Sequence, residues 1–531
     1  LLLIVSCGGG SPSSESGAAD SGATDASAAP NRDRIAMGTT LTARTLDPAD
    51  AYEIFPGILL YNMGDRLYSY APGTTDIVPQ LATELPRISE DQLTYVIPLR
   101  DDVTLHDGTP FNAAVMAYSL QRFMENGGRP AFLLADPIDS VDATGEYELT
   151  LRLTKPFAAL TSMLTFSGAT PIPPEKYEIG EGQFSPETFI GSGPYKLASF
   201  SSDVIKLDVN EDYWGEAPSN SGIDIQVFTN PANLYNTFRA GGIDVAYQTL
   251  DPAQIAFLDS TADSDGHQVI EAGASVVNYM TLNQKIAPFD QLEARQALAA
   301  MIDRPLLNDR AFQGQAKPLY TMIPPTFAVS EPVFESAYGD ANYDQAKALL
   351  TQAGYSDTNP LSFEIWYPSS STTRSIVANT LKEAIETHLP GWVDITVNSA
   401  ESATLREQLQ QGAYTTVLSN WYPDYFDPEN FALPFFSCIK ETAGLCDEGF
   451  AQTRGSFYSS AAMNALLDAQ SSEADPAART QLFKEIQDLS AQDVPYIPLW
   501  QNKDYVFSQD GLNNVTIEPN QQLLLGQISR S

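Results

Sequence analysis

Gln92-Leu93-Thr94-Tyr95-Val96-Ile97-Pro98-Leu99 and, a short connection later, Asn112-Ala113-Ala114-Val115-Met116-Ala117-Tyr118-Ser119-Leu120-Gln121-Arg122-Phe123 set the two periodicities of this chain side by side. In the first stretch Leu93, Tyr95, Ile97 and Leu99 fall on one face of a period-two pattern, which predicts a half-buried strand. Pro98 cannot donate to a ladder and points to an edge strand or a bulge. In the second, Val115, Met116, Leu120 and Phe123 recur at helical spacing. Asn112 can cap the first turn, and Gly127 follows an end near Glu125. A strand feeding a capped amphipathic helix is the unit of an α/β protein.

The alternation continues outward. Residues 147–153 place Leu149, Leu151 and Leu153 on one face, and residues 361–365 and 393–397 show the same period. Asn230-Pro231 opens a helix that Gly241-Gly242 stops. Asp290-Gln291-Leu292-Glu293 resembles a capping box, with Asp in place of Ser or Thr. Residues 344–353 form a helix burying Leu349 and Leu350 and ending at Gly354. Residues 479–491 form another, with Leu482, Phe483, Ile486 and Leu489 inward. No internal repeat is visible. At 531 residues the chain has material for three or four ordinary domains or two large lobes, and hence for more than one core.

Composition excludes several functions. Lys and Arg number 29 against 67 Asp and Glu, a net charge of −38, which argues against a nucleic-acid partner because phosphate binding needs a basic face. The three histidines, His106, His267 and His388, are far apart, so no His-rich metal site is expected. There is no Walker loop, dinucleotide glycine fingerprint, His-Glu-x-x-His or nucleophile elbow. Ser437-Cys438-Ile439-Lys440 fits Ser-x-x-Lys but lacks the partner motifs of penicillin-binding enzymes. Asp263-Ser264-Asp265-Gly266 imitates a calcium loop, yet counting from Thr261 puts Ala272 at the bidentate position, which leaves a solvated turn. A carboxylate pair of glycosidase type stays open among so many acids, but catalysis has no positive signal.

The amino terminus reads as an address. Leu1-Leu2-Leu3-Ile4-Val5-Ser6-Cys7 resembles the remnant of a signal peptide ending in a bacterial lipobox, in which Cys7 is lipidated. Residues 8–30 hold only Gly, Ser, Ala, Pro, Asp, Glu and Thr. With nothing large to bury, the segment 8–34 is expected to be a disordered linker, a tether of roughly 25 Å end to end. No other run is long and apolar enough to span a bilayer, so the expectation is a lipid anchor on a bacterial cell membrane rather than a threaded chain. Cys438 and Cys446, eight positions apart, are expected to pair in an exported protein.

Five blocks then carry a resemblance. They are Pro79-Gln80-Leu81-Ala82 leading through Leu99-Arg100-Asp101-Asp102-Val103-Thr104-Leu105-His106-Asp107-Gly108-Thr109-Pro110-Phe111; Gly191-Ser192-Gly193-Pro194-Tyr195-Lys196-Leu197 with Asn210-Glu211-Asp212-Tyr213-Trp214-Gly215; Leu282-Asn283, Pro288-Phe289, Arg295-Gln296-Ala297-Leu298 and Ile302-Asp303; Trp421-Tyr422-Pro423-Asp424-Tyr425-Phe426-Asp427-Pro428-Glu429-Asn430-Phe431; and Asp493-Val494-Pro495-Tyr496-Ile497-Pro498-Leu499. In this order they resemble the extracellular solute-binding proteins of family 5, the peptide and dipeptide receptors of ABC importers. Leu105 stands where the family usually has Phe.

The resemblance implies a two-lobed α/β fold like that of periplasmic binding proteins (type II, cluster C), with a cleft between the lobes. Lobe I would hold residues 35–276 and the returning 500–531, and lobe II residues 277–499. Crossings near 277–282 and 497–502 would form the hinge. A ligand bound between the lobes favours the closed form, which a permease and ATPase would recognise. The implied protein is a monomeric, periplasmic or extracytoplasmic receptor for short peptides, with no cofactor, no metal and no catalysis. The family also includes receptors for nickel complexes, haem, opines and sugars, and a surface sensor on the same fold remains an alternative.

For a peptide, the resemblance places the ammonium on Asp424, in the family's Trp-x-x-Asp-Tyr segment. The bland alternative is a turn aspartate in a Pro-rich loop. Trp421, Tyr422 and Tyr425 would line the pocket or serve as core. Arg374, in the stretch after the lobe II strand, is the available partner for a ligand carboxylate, although Ser or Pro stands at the family's usual Arg position. Asp427 before Pro428 reads as a turn initiator.

Overall fold

The computed structural model describes residues 33–531 except Thr249. Cys7, the lipobox and residues 8–32 of the expected linker lie outside the described residues. Arg34, expected within the linker, is instead held by the folded body. Arg34 is pinned at the start of the first strand, Ile35–Thr39, where it donates to Asp224 at 2.8 Å, Asp208 at 2.7 Å and the Leu207 carbonyl at 2.9 Å. A guanidinium with that many oxygen partners is structure rather than leash.

Two long strands organise the molecule. His267–Leu282 and Tyr496–Gln509 run antiparallel through the middle of an eleven-stranded sheet. On one side, Val245–Tyr247 pairs with the far end of Tyr496–Gln509, followed outward by Ile35–Thr39, Gly222–Val227, Val204–Val209 and Tyr195–Phe200. On the other, Thr416–Trp421 pairs with residues 282–277, followed by Leu361–Pro368 and Val393–Ala400 in parallel. The ladder between the long strands is regular from His267↔Gln509 to Gly273↔Lys503 and resumes at Val277↔Gln501. In between, residues 274–276 oppose Asn502 alone. A bulge of this kind kinks a strand and interrupts pairing.

The region read as one lobe carries two cores. A four-stranded antiparallel sheet, in the order Arg87–Ile88, Thr94–Pro98, Glu148–Leu153 and Ile138–Gly145, packs on the helix Ala113–Glu125. Tyr95, Ile97, Met116, Leu120, Phe123, Leu149 and Leu151 fill this core. Each such side chain contributes about 1.5–3 kcal/mol by leaving water. The Asn112 side chain accepts from the Val115 amide at 3.0 Å, capping the helix as its sequence predicts. Pro98 lies on an inner strand, not an edge. It is tolerated because the neighbour Arg87–Ile88 is two residues long and pairs only with Val96 and Tyr95. This body is tied to the large sheet's lobe by Arg122, whose fork bonds both oxygens of Asp47 at 2.8 and 2.7 Å in a fully buried pair.

In the other lobe, Leu361–Pro368, Val393–Ala400 and their helices share a core with Met280, Leu298 and Trp500. The capping box expected at Asp290 is not formed. The helix Leu292–Met301 begins one residue later on Gln291, with no side-chain cap bond, because the turn from Pro288 to Gln291 leaves Asp290 exposed. Leu350 is buried, whereas Leu349, Leu482 and Leu489 are only half-buried. The calcium-loop mimic is the end of the helix Pro252–Asp265, closed by Gly266 at φ 73°, a conformation that suits glycine. Cys438 and Cys446 form a disulfide with Cα atoms 5.6 Å apart, bracing the hairpin of Lys440–Thr442 and Leu445–Glu448. Among the described residues no helix is long and apolar enough to cross a membrane.

Candidate ligand-binding site

Leu361–Pro368 and Thr416–Trp421 are parallel neighbours, so their carboxyl ends open on the same side of the sheet. In open α/β sheets that is where ligands bind. The first strand runs into Ser369-Ser370-Ser371 and the helix Thr372–His388, which carries Arg374 in its first turn. The second runs into Tyr422-Pro423-Asp424. Both ends face a cleft of about 1230 Å³, whose opposite wall includes Tyr52, Phe132 and Phe166. That is ample for more than a single small molecule.

The Asp424 side chain reaches the cleft but is ringed by protein. Its Oδ1 accepts from the Tyr52 hydroxyl on the facing wall. Its backbone amide donates to Asn430 Oδ1 at 2.9 Å, and the same oxygen accepts from the Trp421 indole at 3.1 Å. No Lys or Arg among the described residues forms an ion pair with Asp424; Arg454 stands further off, its guanidinium stacked 4.2 Å above the Trp421 ring. Burial therefore dominates and pushes the Asp424 carboxyl up to about 6, with the hydrogen bonds from Tyr52 and Asn430 and the charge of Arg454 offsetting only part of it.

Arg374 is the converse case. Its Nη2 donates to the side-chain oxygens of Asn420, at 2.5 Å, and Asn278, at 3.4 Å, while Nη1 points to Ser371 Oγ at 3.5 Å. Nε is buried with no partner, and no carboxylate among the described residues pairs with the group. Burial depresses the guanidinium's pKa below its ordinary value. The first turn of a helix is also the wrong end for a cation, since the backbone dipole there is positive. A charge placed against both effects wants an anion.

The aromatics separate. Tyr422 is 41% exposed in the cleft. Trp421 lines it too, but its indole is committed to the Asn430 carbonyl at 2.9 Å, and its ring to Phe435 and Arg454. Tyr425 touches the cleft wall yet is buried, meeting Phe157 edge-on in the core of the four-stranded body. Asp427 behaves as the turn reading expects, accepting from the Glu429 amide at 2.9 Å, and it also receives both arms of Arg479 at 2.9 and 2.8 Å.

Sequence reasoning missed Tyr52, Phe132 and Glu429. The first two come from the opposite wall and carry no local signal. Glu429 is fully buried beside the cleft. Its Oε1 accepts from Gln470 and Ser471, Oε2 has no partner, and burial beside Asp427 pushes it up to about 7. It reads in sequence as one more acid in an Asp-Pro turn. No cluster of His, Cys, Asp and Glu suited to a metal ion occurs among the described residues.

Two lobes that enclose a cleft lined by uncompensated charge of both signs define a solute receptor. The model of the bacterial extracellular solute-binding proteins, family 5 Middle, matches residues 76–442, and the chain belongs to this family. It is thus a solute-binding protein of an ABC importer, of a periplasmic class, and a transport receptor rather than an enzyme. It is 25% identical over 496 residues to the Probable D,D-dipeptide-binding periplasmic protein DdpA of Escherichia coli K12, covering 90% of each chain. It is 27% identical over 482 residues to the glutathione-binding protein GsiB of the same strain, covering 88% of each. The fold matches the structure of HbpA2 from Haemophilus parasuis with a TM-score of 0.80 at 20% identity, over 94% of this chain and 100% of that one.

Proposed function

We propose that this chain captures short peptides with free termini between its lobes and delivers them to its permease and ATPase while held by lipid at Cys7 on the extracytoplasmic face of the membrane. One observation carries the reading: a carboxylate without a cation, Asp424, and a guanidinium without an anion, Arg374, line one cleft. Each is costly when buried alone, by several kcal/mol, and a zwitterion satisfies both. Asp424 takes the ammonium, Arg374 the carboxylate, and Tyr422 covers the backbone between them. The names of DdpA, a probable D,D-dipeptide-binding protein, and GsiB, a glutathione-binding protein, agree with this size class.

In this reading residues 35–276 and 500–531 form one lobe and 277–499 the other. The bulge at 274–276 opposite Asn502 is the natural hinge, and closure excludes water from both charges. Isothermal titration of the chain with di-, tri- and tetrapeptides tests the proposal. Binding of free peptides, lost on N-acetylation, is the expected result; a ligand set that binds equally well without an ammonium would overturn it.

A further inference from the structure

Two tyrosines are exchanged between the walls of the cleft. Tyr425 follows the strand Thr416–Trp421, yet it is 8% exposed and belongs to the core of the four-stranded body, together with Tyr95, Leu151 and Phe157. Its ring meets Phe157 edge-on, with centroids 6.4 Å apart. Tyr70, from the strand Tyr68–Tyr70, belongs in turn to the core built by Tyr279, Phe327, Phe431 and Tyr496. Its ring meets Phe426 edge-on at 5.9 Å, and its hydroxyl donates to the Phe426 carbonyl at 3.3 Å. A second strip, Gln470-Ser471-Ser472, is held on the same body. The Ala158 amide donates to the Ser471 carbonyl at 2.7 Å, and the Gln92 side chain to the Ser472 carbonyl at 2.9 Å. Glu429 ties the two strips together, because its buried Oε1 accepts from Gln470 at 2.8 Å and from Ser471.

We infer that Tyr425 is a latch: inserted into the four-stranded body, it holds the cleft shut through contacts the chain makes with itself, so that the closed form is populated before a solute arrives. This inference uses the lobe division proposed above and is independent of the peptide reading. In that division Tyr70, Gln92, Phe157 and Ala158 fall in one lobe, and Tyr425, Phe426, Glu429 and residues 470–472 in the other. A rotation that parts the lobes must draw Tyr425 out of one apolar core and Tyr70 out of another, and leave both rings to water. It must also break the bonds from Ala158 and Gln92 to the second strip. A solute enters only the open form, so the latched fraction lowers every apparent affinity by the same factor. The latch is a threshold that acts before any choice among solutes.

The test is amide hydrogen exchange and small-angle X-ray scattering on the chain, dialysed free of bound solute. The Ala158 amide reports the latch, and the ladder between Thr94–Pro98 and Glu148–Leu153 reports the fold. In the parent the Ala158 amide should be protected. Tyr425→Ser should speed its exchange about ten- to hundredfold and enlarge the radius of gyration, with the ladder amides unchanged. If Tyr425→Ser speeds the ladder as well, the double variant Tyr70→Phe/Gln92→Ala decides, because it deletes only two side-chain donors at the joint. It should speed the Ala158 amide about fivefold or more and leave the ladder unchanged. Free exchange of the Ala158 amide in the parent would overturn the latch. So would a Tyr425→Ser protein with the parent's exchange and radius, or a double variant in which the Ala158 amide exchanges as in the parent.

Discussion

The Tyr52 hydroxyl and the Asp424 carboxylate, 372 positions apart in the chain, are joined by a hydrogen bond from one wall of the cleft to the other. Without a ligand the bond supplies the donor that a buried carboxylate needs. In the proposed peptide reading, the ligand's ammonium takes over much of that task. Asp424→Asn keeps the shape and removes the charge, so affinity for peptides with a free amino terminus should fall by a factor of about 100 or more, the scale of breaking a buried charged pair. Titration calorimetry of the variant against the parent checks this. Tyr52→Phe deletes one neutral donor and should cost far less, about two- to tenfold.

The raised Asp424 pKa gives two pH effects of opposite sign. In the folded apo protein the group titrates near 6, above the ~3.9 of an unfolded Asp. Its contribution to stability is thus fully present below about 4 and is lost as pH rises through 6. Relative to Asp424→Asn, the apo parent should lose stability over that window, measured by urea unfolding at pH 4, 5, 6 and 7. Ligand affinity runs the other way, because the ammonium needs the ionised form. Binding should weaken about tenfold from pH 7 to pH 5, and at pH 6 complex formation should release protons, visible as a dependence of binding heat on the buffer's ionisation enthalpy.

Arg374 tests the proposed contact with the ligand's carboxylate. Its guanidinium is buried against neutral oxygens only, so replacing it with Met removes an uncompensated charge. Arg374→Met should leave the melting temperature of the apo protein unchanged or higher. The same variant should no longer distinguish a free peptide from its carboxyl-terminal amide, a comparison that calorimetry reads directly.

Asp47 and Arg122 make the opposite case. Both are fully buried and mutually bonded, and they join the four-stranded body to the rest of its lobe. Asp47→Ala strands a buried guanidinium and should destabilise the protein by about 3–5 kcal/mol. A drop in the urea midpoint of under 1 kcal/mol equivalent would contradict this account of the junction.

Much of the local structure was legible in the chain because it obeys local rules. The helix Ala113–Glu125 announces its cap at Asn112 and its buried face at Val115, Met116, Leu120 and Phe123, and the strand Thr94–Pro98 announces Tyr95 and Ile97. Where local signals conflicted with context they misled. Pro98 suggested an edge that a two-residue neighbour made unnecessary, and Asp290 suggested a cap that an upstream turn displaced. In the cleft, Asp424 and Arg374 could be named because each sits in a segment with a readable pattern, whereas Tyr52, Phe132 and Glu429 sit in none.

The order of residues by itself determined the alternating elements, the acidic surface, the lipobox pattern and the blocks shared with a receptor family. All of these depend on neighbours within a few turns of chain. Folding in three dimensions decided which charges lack partners, which tyrosine faces solvent and which is core, and that two walls hundreds of residues apart meet at one carboxylate. Desolvation and pairing depend on everything packed around a group, and that is a property of the assembled cleft.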